Sequence, residues 1–195
     1  MNLGKDLFAY LNSNQQVGDQ TPPQYGVPGL SSERLDAIEK ELGFPFPPDF
    51  RFLFENVSDP GEVLFPWSNF DKSVYKQMID WVWRGIKFDI EHNDIWLRRW
   101  GVRSETLAEA IEVARLDFVT WPPLLPIYGH RFLPARPTLP DNPVFSIKQT
   151  DIIYYGANLA EYLVNEFVVY SFYRESKPIR QIEVWSDLAE GREGI

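Results

Sequence analysis

The sequence contains no cysteine and only two histidines among its 195 residues. The absence of cysteine excludes disulfides, thiolate nucleophiles, and zinc or iron–sulfur sites held by thiolates. No apolar run approaches the length of about 18 residues that a membrane-spanning helix needs. The first residues also lack the basic and apolar regions of a secretory signal. Together these absences predict a cytoplasmic protein without a membrane segment.

Several motifs of common enzymes are missing too. The glycine-rich dinucleotide turn, the phosphate-binding loop, the Gly-x-Ser-x-Gly elbow and His-Glu-x-x-His do not occur. One set of metal-ligand residue types remains, formed by His92, Asp94 and His130. These are the ligand types of a two-histidine, one-carboxylate iron site, although ordinary polar histidines are the commoner origin of such a pattern. We therefore expect a protein that is not an enzyme and carries no metal or cofactor, with a metal-dependent oxygenase as an alternative.

Aromatic and acidic side chains, in contrast, are abundant. Aromatic residues make up 15% of the chain, which predicts a core built from large rings. The formal net charge of −9 disfavours binding to nucleic acid. Eight acidic and three basic residues between positions 31 and 62 give this segment a charge of −5. A partner selected by charge is therefore expected to be basic, and a solvated acidic surface without a partner is the other explanation.

Local signals predict two consecutive helices near the start of the folded region. The first is expected to begin at a cap formed by Ser31 or Ser32 and to end at Gly43, where glycine permits a left-handed stop. Pro48 suits the first position of a second helix, which is expected to end by Asn56. Farther along, helical spacing predicts a turn at 95–100, a helix from Ser104 to Phe118 and a helix capped by Asn158.

Short runs rich in β-branched or aromatic residues predict strands elsewhere in the chain. The third and fourth of these runs are separated by four polar residues, so they are expected to form an antiparallel hairpin. The five predicted strands are residues 63–65, 124–128, 144–147, 152–155 and 182–185.

Residues 35–56 carry the most specific pattern, LDAIEKELGFPFPPDFRFLFEN. A helix with Ile and Glu is followed by Leu-Gly, a proline, an aromatic residue, Phe-Leu and Asn. This pattern resembles the opening signature of the SUKH superfamily, which includes a fungal regulator of cell-wall assembly and many bacterial immunity proteins. The later order is also similar, with a strand at Val63, a Leu-Pro-Ile strand at 125–127, a hairpin over 144–155 and a helix from Asn158. The resemblance covers roughly residues 30–168.

The resemblance implies an α+β fold, in which a single domain has a mixed, mostly antiparallel sheet flanked by helices. We assign this domain to residues 30–185. Residues 1–29 are expected to form an N-terminal arm or short helix around Leu7, Phe8 and Leu11 and then a polar connector, because Asn, Gln, Pro and Gly are frequent over residues 12–29. Residues 186–195 are expected to be a mobile C-terminal tail. The resemblance also implies action by binding, without shared catalytic residues.

The leading hypothesis is therefore a non-enzymatic, protein-binding module of the immunity type, which neutralises a basic toxin domain by binding it. Charge complementarity would speed the encounter with such a partner. A structural or regulatory adaptor in cell-envelope assembly is a further alternative, and neither nucleic acid nor a membrane is an expected partner. The candidate contact residues are acids near predicted loops and one tryptophan: Asp59, Glu62, Glu91, Asp94 and Trp96.

Overall fold

The computed structural model describes residues 3–168 and 178–193. Within these residues, seven α-helices and two antiparallel sheets form an α+β fold, which confirms the expected fold class. None of the helices described has both the length and the apolar character needed to cross a membrane. The helices are α1 (Lys5–Asn14), α2 (Ser32–Leu42), α3 (Pro48–Glu55), α4 (Lys72–His92), α5 (Leu107–Phe118), α6 (Leu159–Phe167) and α7 (Trp185–Ala189). The strands are β1 (Gln24–Tyr25), β2 (Val57–Ser58), β3 (Leu124–Tyr128), β4 (Arg131–Pro134), β5 (Val144–Lys148) and β6 (Asp151–Gly156).

A four-stranded sheet in the order β3-β4-β5-β6 lies between two hydrophobic cores. Successive side chains of a strand point to opposite faces, so neighbouring residues enter different cores. The first core combines one face of the sheet with α1, α2, α3 and α6, and the second combines the other face with α4, α5 and α7. The sheet gives the first core Leu125, Ile127, Leu133 and Val144, and gives the second core Leu124, Phe132, Phe145, Ile147 and Ile152.

Helices α2 and α3 form where the sequence predicts them. The hydroxyl of Ser31 caps α2 by accepting a hydrogen bond from the backbone N–H of Arg34 at 3.2 Å. Gly43 ends the helix with a φ of 85°, a left-handed conformation that side-chain-bearing residues rarely adopt. Pro48 then starts α3. Both helices turn their apolar faces into the first core through Leu35, Ile38, Phe50, Leu53 and Phe54.

Trp67 lies at the centre of an aromatic cluster in the first core. Its side chain is almost fully buried, and its indole N–H donates to the carbonyl of Pro126 in β3 at 2.9 Å. The large rings bury much apolar area, and the rings of Phe46 and Phe50 meet that of Trp67 edge to face, which is a favourable arrangement. Four ring centroids lie 4.9 to 5.5 Å from that of Trp67, those of Phe46, Phe50, Phe65 and Phe70.

The longest helix, α4, is absent from the sequence-based prediction. Asp71 caps its start by accepting from the backbone N–H of Ser73 at 2.7 Å. Near its end, the buried carboxylate of Asp89 accepts from the backbone N–H and the hydroxyl of Thr150, at 2.8 and 2.6 Å. Because Thr150 lies in the turn between β5 and β6, these bonds tie the helix to the hairpin. The hairpin itself is confirmed, with Lys148 paired to Asp151.

Two of the predicted strands are wrong. Residues 63–65 form no ladder, and only one backbone bond, from the N–H of Phe65 to the carbonyl of Ile127 at 2.7 Å, joins them to β3. The following Pro66 has no N–H with which to continue the pairing. Residues 182–185 also form no strand, because the hydroxyl of Ser186 accepts the N–H of Ile182 and α7 begins at once.

Other boundaries differ more modestly. The predicted turn at 95–100 is a single 3₁₀ turn over Arg98–Trp100, and Thr106 rather than Ser104 caps α5. The segment assigned to a C-terminal tail contains most of α7, in which Ser186 and Leu188 are buried, while its last two residues lie outside the described part of the chain. Strand β4 was not predicted. The N-terminal segment places Leu7, Phe8, Leu11 and Tyr25 in the first core.

Candidate functional site

A cleft of about 260 Å³ opens beside the first core, between the loop that precedes α2 and the loop that follows β2. Its inner surface is apolar and its rim is acidic. None of the described residues that line it is basic. We name it the Glu62 cleft and define it by six of its lining residues, Leu30, Phe54, Asp59, Glu62, Leu64 and Trp67.

The first wall of the cleft is held rigidly against α3. The backbone N–H groups of Gly29 and Leu30 donate to the carbonyls of Glu55 and Phe54, at 2.9 and 2.8 Å. A Cβ atom on Gly29 would collide with the carbonyl oxygens of Phe54 and Val57. Only glycine lets the backbone come this close to the two carbonyls, so the shape of this wall depends on Gly29.

The second wall is a turn organised by Asp59. One oxygen of its carboxylate accepts from the N–H of Val63 at 3.0 Å, and the other accepts from the N–H of Leu64 at 2.6 Å. The N–H of Glu62 donates to the carbonyl of Asp59 at 3.2 Å and closes the turn. Asp59 therefore holds the shape of the rim and contributes negative charge there.

Glu62 differs from Asp59 because its carboxylate has no hydrogen-bond or ion-pair partner among the described residues. The residue is exposed. Its backbone has a φ of 50°, a left-handed conformation that costs a non-glycine residue on the order of 1 kcal/mol. Strain of this kind is found at ligand-contacting positions. The turn thus presents a free carboxylate at the mouth of an apolar cleft.

A buried phenol lies near the acidic rim. Burial raises the pKa of Tyr25 well above its usual range, and the negative charge of Asp59 raises it further. Its hydroxyl has no hydrogen-bond partner among the described residues. The phenol consequently stays neutral and adds no negative charge near the rim.

The other predicted contact residues lie elsewhere. Asp94 is paired with Arg103, and the guanidinium of Arg103 also lies 5.6 Å from the ring centre of Trp96. Glu91 is on the last turn of α4, 3.4 Å from the ammonium group of Lys87. This region packs against the second core, so the structure brings Asp94 and Trp96 together but does not place them at the Glu62 cleft.

The three residues of the oxygenase alternative do not form a metal site. His92 is exposed at the end of α4, and the carboxylate of Asp94 is already paired with Arg103. His130 lies in the turn before β4, and Arg131, the first residue of β4, donates to its Nε2. Burial and neighbouring positive charges lower the pKa of His130. Across the described residues, no group of three His, Cys, Asp or Glu side chains is placed to hold a metal ion.

Sequence reasoning missed the apolar floor of the cleft. Neither Trp67 nor Leu30 is among the contact residues that the sequence predicts. Leu30 and Trp67 are far apart in the sequence and share no local motif. They line the same cleft because the loop before α2 packs against α3. The Asp59-Pro60-Gly61 turn was the one local signal that pointed to this surface.

The resemblance to SUKH proteins stays a prediction based on residues 35–56 and on the order of the later elements. Comparison of the chain with protein-family models, with curated proteins and with solved structures gives no match.

Proposed function

We propose that this chain is a non-enzymatic protein-binding module of the immunity type, and that the Glu62 cleft contacts a basic partner, most specifically a toxin domain. The observation that carries the proposal is a free carboxylate at the mouth of a cleft whose floor is apolar. Such a surface joins the two elements of a protein-binding hot spot, an apolar pocket for an anchor side chain and a polar rim.

The size of the cleft favours a side chain of a protein over a free small molecule. Its volume of about 260 Å³ lies below the range of roughly 300–1,000 Å³ that is usual for small-molecule sites. A single anchor side chain from a protein surface needs less room. Gly29 and Asp59 hold the two walls in place before binding, so little conformational entropy would be lost on association.

Charge favours a basic partner. The whole chain has a formal charge of −9, and the segment from 31 to 62, which contains both rim acids, accounts for −5 of it. A partner of opposite charge would be steered toward this side, and an acidic partner would be repelled. The resemblance to immunity proteins supports a toxin as this partner. In that case the bound toxin would lose access to its substrate.

Co-expression with each toxin encoded beside the gene tests the proposal. We expect the full chain to rescue growth and to bind one of these toxins in vitro. In Glu62→Lys the affinity should fall at least about tenfold, because an attractive rim contact becomes repulsive. Glu105→Lys is the matched control, since Glu105 is also exposed and does not line the cleft.

Two results would contradict the proposal, and they address different parts of it. Failure to rescue growth against every neighbouring toxin would remove the immunity function. Equal affinity of the Glu62→Lys and Glu105→Lys variants for a neutralised toxin would leave the immunity function intact and remove the Glu62 cleft as the contact surface.

A further inference from the structure

A second cleft lies at the opposite end of α3 from the Glu62 cleft. It has a volume of about 360 Å³ and is bounded by the N-terminus of α3, the loop between β4 and β5, and the start of α6. We name it the Asp49 cleft and define it by Pro48, Asp49, Phe52, Pro140, Asp141 and Leu159. Its walls are apolar except for the two carboxylates.

The two acids are joined through the backbone, since the N–H of Asp141 donates to the carboxylate of Asp49, and among the described residues neither carboxylate is paired with a cation. The carboxylate of Asp49 accepts the backbone N–H groups of Phe50 and Asp141, both at 3.0 Å. Burial raises the pKa of Asp49, and the charge of Asp141 contributes to the same shift, whereas the backbone hydrogen bonds oppose it. In residues 3–168 and 178–193 neither Asp49 nor Asp141 forms an ion pair. A cation bound here would offset an electrostatic cost that the folded chain otherwise bears.

The loop that forms one wall is fixed from inside. The fully buried amide of Asn142 donates to the carbonyls of Pro134 and Pro137, at 2.9 and 2.8 Å. Its oxygen accepts from Arg180 at 2.8 Å, and Arg180 also donates to the carbonyl of Pro140 at 2.6 Å. The guanidinium of Arg180 is thus bound by neutral acceptors of the loop, and the wall is organised before any partner arrives.

The opposite wall offers a flat apolar surface. Phe52 is 39% exposed, and its ring is stacked on that of Phe8, with centroids 5.8 Å apart. Pro48 and Pro140 add rigid apolar surface around the carboxylates. A side chain that fits must therefore combine a positive end with an apolar stem, which excludes a small hydrated cation as the best ligand.

We propose that the Asp49 cleft binds an arginine side chain of a protein partner, with its guanidinium group against Asp49 and Asp141 and its stem against Phe52. Arginine fits better than lysine because a guanidinium is planar, weakly hydrated, able to bind carboxylates through two parallel hydrogen bonds and able to stack on an aromatic ring. Both oxygens of Asp49 keep a lone pair after accepting one backbone N–H each. This inference is independent of the proposed toxin, because an arginine derivative alone can test it.

The probe is N-acetyl-L-argininamide, titrated into the full ¹⁵N-labelled chain while NMR follows the amides of Phe50, Asp141 and Ala160. We expect saturable shifts confined to this cleft, and affinity about tenfold lower in Asp141→Asn. Asparagine is the suitable replacement because Asp141 has a φ of 65°, a conformation that asparagine tolerates. Glu105→Gln is the matched control, because Glu105 is exposed and lines neither cleft, and this variant should bind the probe as the wild-type chain does.

Four results would overturn the inference. The first two are the absence of saturable shifts at these amides and equal affinity of the wild-type chain and Asp141→Asn for the probe. The third is equal binding of uncharged N-acetyl-L-norleucinamide. The fourth is equal binding of N-acetyl-L-lysinamide, which would show that the cleft accepts any cationic side chain and does not prefer arginine. Shifts of the same amides on raising the protein concentration without the probe would instead identify a second copy of this chain as the occupant.

Discussion

The two cores on either face of the sheet differ in one respect, which is that two tryptophans of the second core share a carboxylate as their hydrogen-bond acceptor. In the first core, the indole of Trp67 donates to a backbone carbonyl of β3, and aromatic rings fill the space around it. In the second core, the indole of Trp185 also donates to a backbone carbonyl, that of Pro122 at 2.9 Å, but the indoles of Trp100 and Trp121 donate to one carboxylate, that of Asp117, at 3.0 and 2.8 Å. A backbone acceptor cannot be removed by mutation, but a carboxylate can. We therefore expect substitutions in the first core to lower the free energy of unfolding mainly through lost side-chain volume. In the second core, we expect the main loss to come from removing hydrogen-bond acceptors.

The largest effect is expected for Trp67→Ala. Removing the central ring leaves a cavity among Phe46, Phe50 and Phe65, and the free energy of unfolding should fall by about 4 kcal/mol. Urea denaturation measures the loss. Trp67→Phe is the matched variant, and it should lose less because a ring remains, although the carbonyl of Pro126 loses its donor. Equal losses for the two variants would show that the hydrogen bond, and not the volume, dominates this core.

Asp89→Ala should have the next largest effect, in the second core. The substitution leaves the N–H and hydroxyl of Thr150 and the amide of Asn93 without their acceptor, so we expect a loss of about 3 kcal/mol. Asp89→Asn retains one acceptor oxygen and should lose less. Hydrogen exchange provides the local readout, since protection should fall first in the β5–β6 turn and at the end of α4. Unchanged protection there would contradict the proposed tie between the helix and the hairpin.

Asp117→Ala tests the shared acceptor directly. Two indoles and the guanidinium of Arg99 lose their partner, and because the carboxylate is partly exposed we expect a loss of about 2 kcal/mol. Tryptophan fluorescence should shift, as both indole environments change. The control is Glu112→Ala on the same helix, which removes an exposed carboxylate and should alter stability by less than about 0.5 kcal/mol. Equal stabilities for both variants would remove the distinction between the cores.

The smallest effect, and the only stabilising one, is expected for Tyr162→Phe in the first core. The buried hydroxyl of Tyr162 has no hydrogen-bond partner among the described residues, so its removal should stabilise the fold by about 1 kcal/mol. Tyr75→Phe is the matched control, because the hydroxyl of Tyr75 donates to the carbonyl of Leu124 at 3.1 Å. That variant should be destabilised by about 1 kcal/mol. Thermal unfolding of both variants separates the two cases, and a destabilised Tyr162→Phe would show that its hydroxyl is satisfied.

Elements with strong terminal signals could be predicted from the sequence. Helix α2 has a serine cap and a glycine stop, α3 has a proline at its first position, and α6 has the Asn158 cap, whose side-chain oxygen accepts the N–H of Glu161 at 2.9 Å. The β5–β6 hairpin follows from two β-rich runs and a short polar link. In each case the decisive interaction joins residues that are close in the sequence.

Helix α4 shows why other elements were missed. Its buried positions, Tyr75, Val82, Ile86 and Ile90, have helical spacing, and Asp71 is a suitable cap. However, Trp81 and Phe88 are 39% and 44% exposed, so apolar residues occupy more than one face and blur the pattern. Asp71 followed by that spacing was the signal that could have identified the helix.

The residues of the candidate sites also fall into two groups, those that the sequence could identify and those that it could not. Acidity near a turn was enough to select Asp59 and Glu62, and the structure places both on one rim. The same reasoning selected Glu91 and Asp94, which are instead paired with Lys87 and Arg103. It passed over Asp49 and Asp141, because their approach depends on the contact of α3 with the loop between β4 and β5.

The amino-acid sequence by itself determined the α2–α3 pair, the β5–β6 hairpin and the concentration of negative charge between residues 31 and 62. These features depend on composition or on contacts between near neighbours, so they can be recognised in a linear chain. Only the tertiary structure decided which face of the sheet each aromatic ring occupies, which acids are already paired and where the two clefts open. Those features depend on packing between distant segments, whose geometry is settled when the two cores close on the sheet.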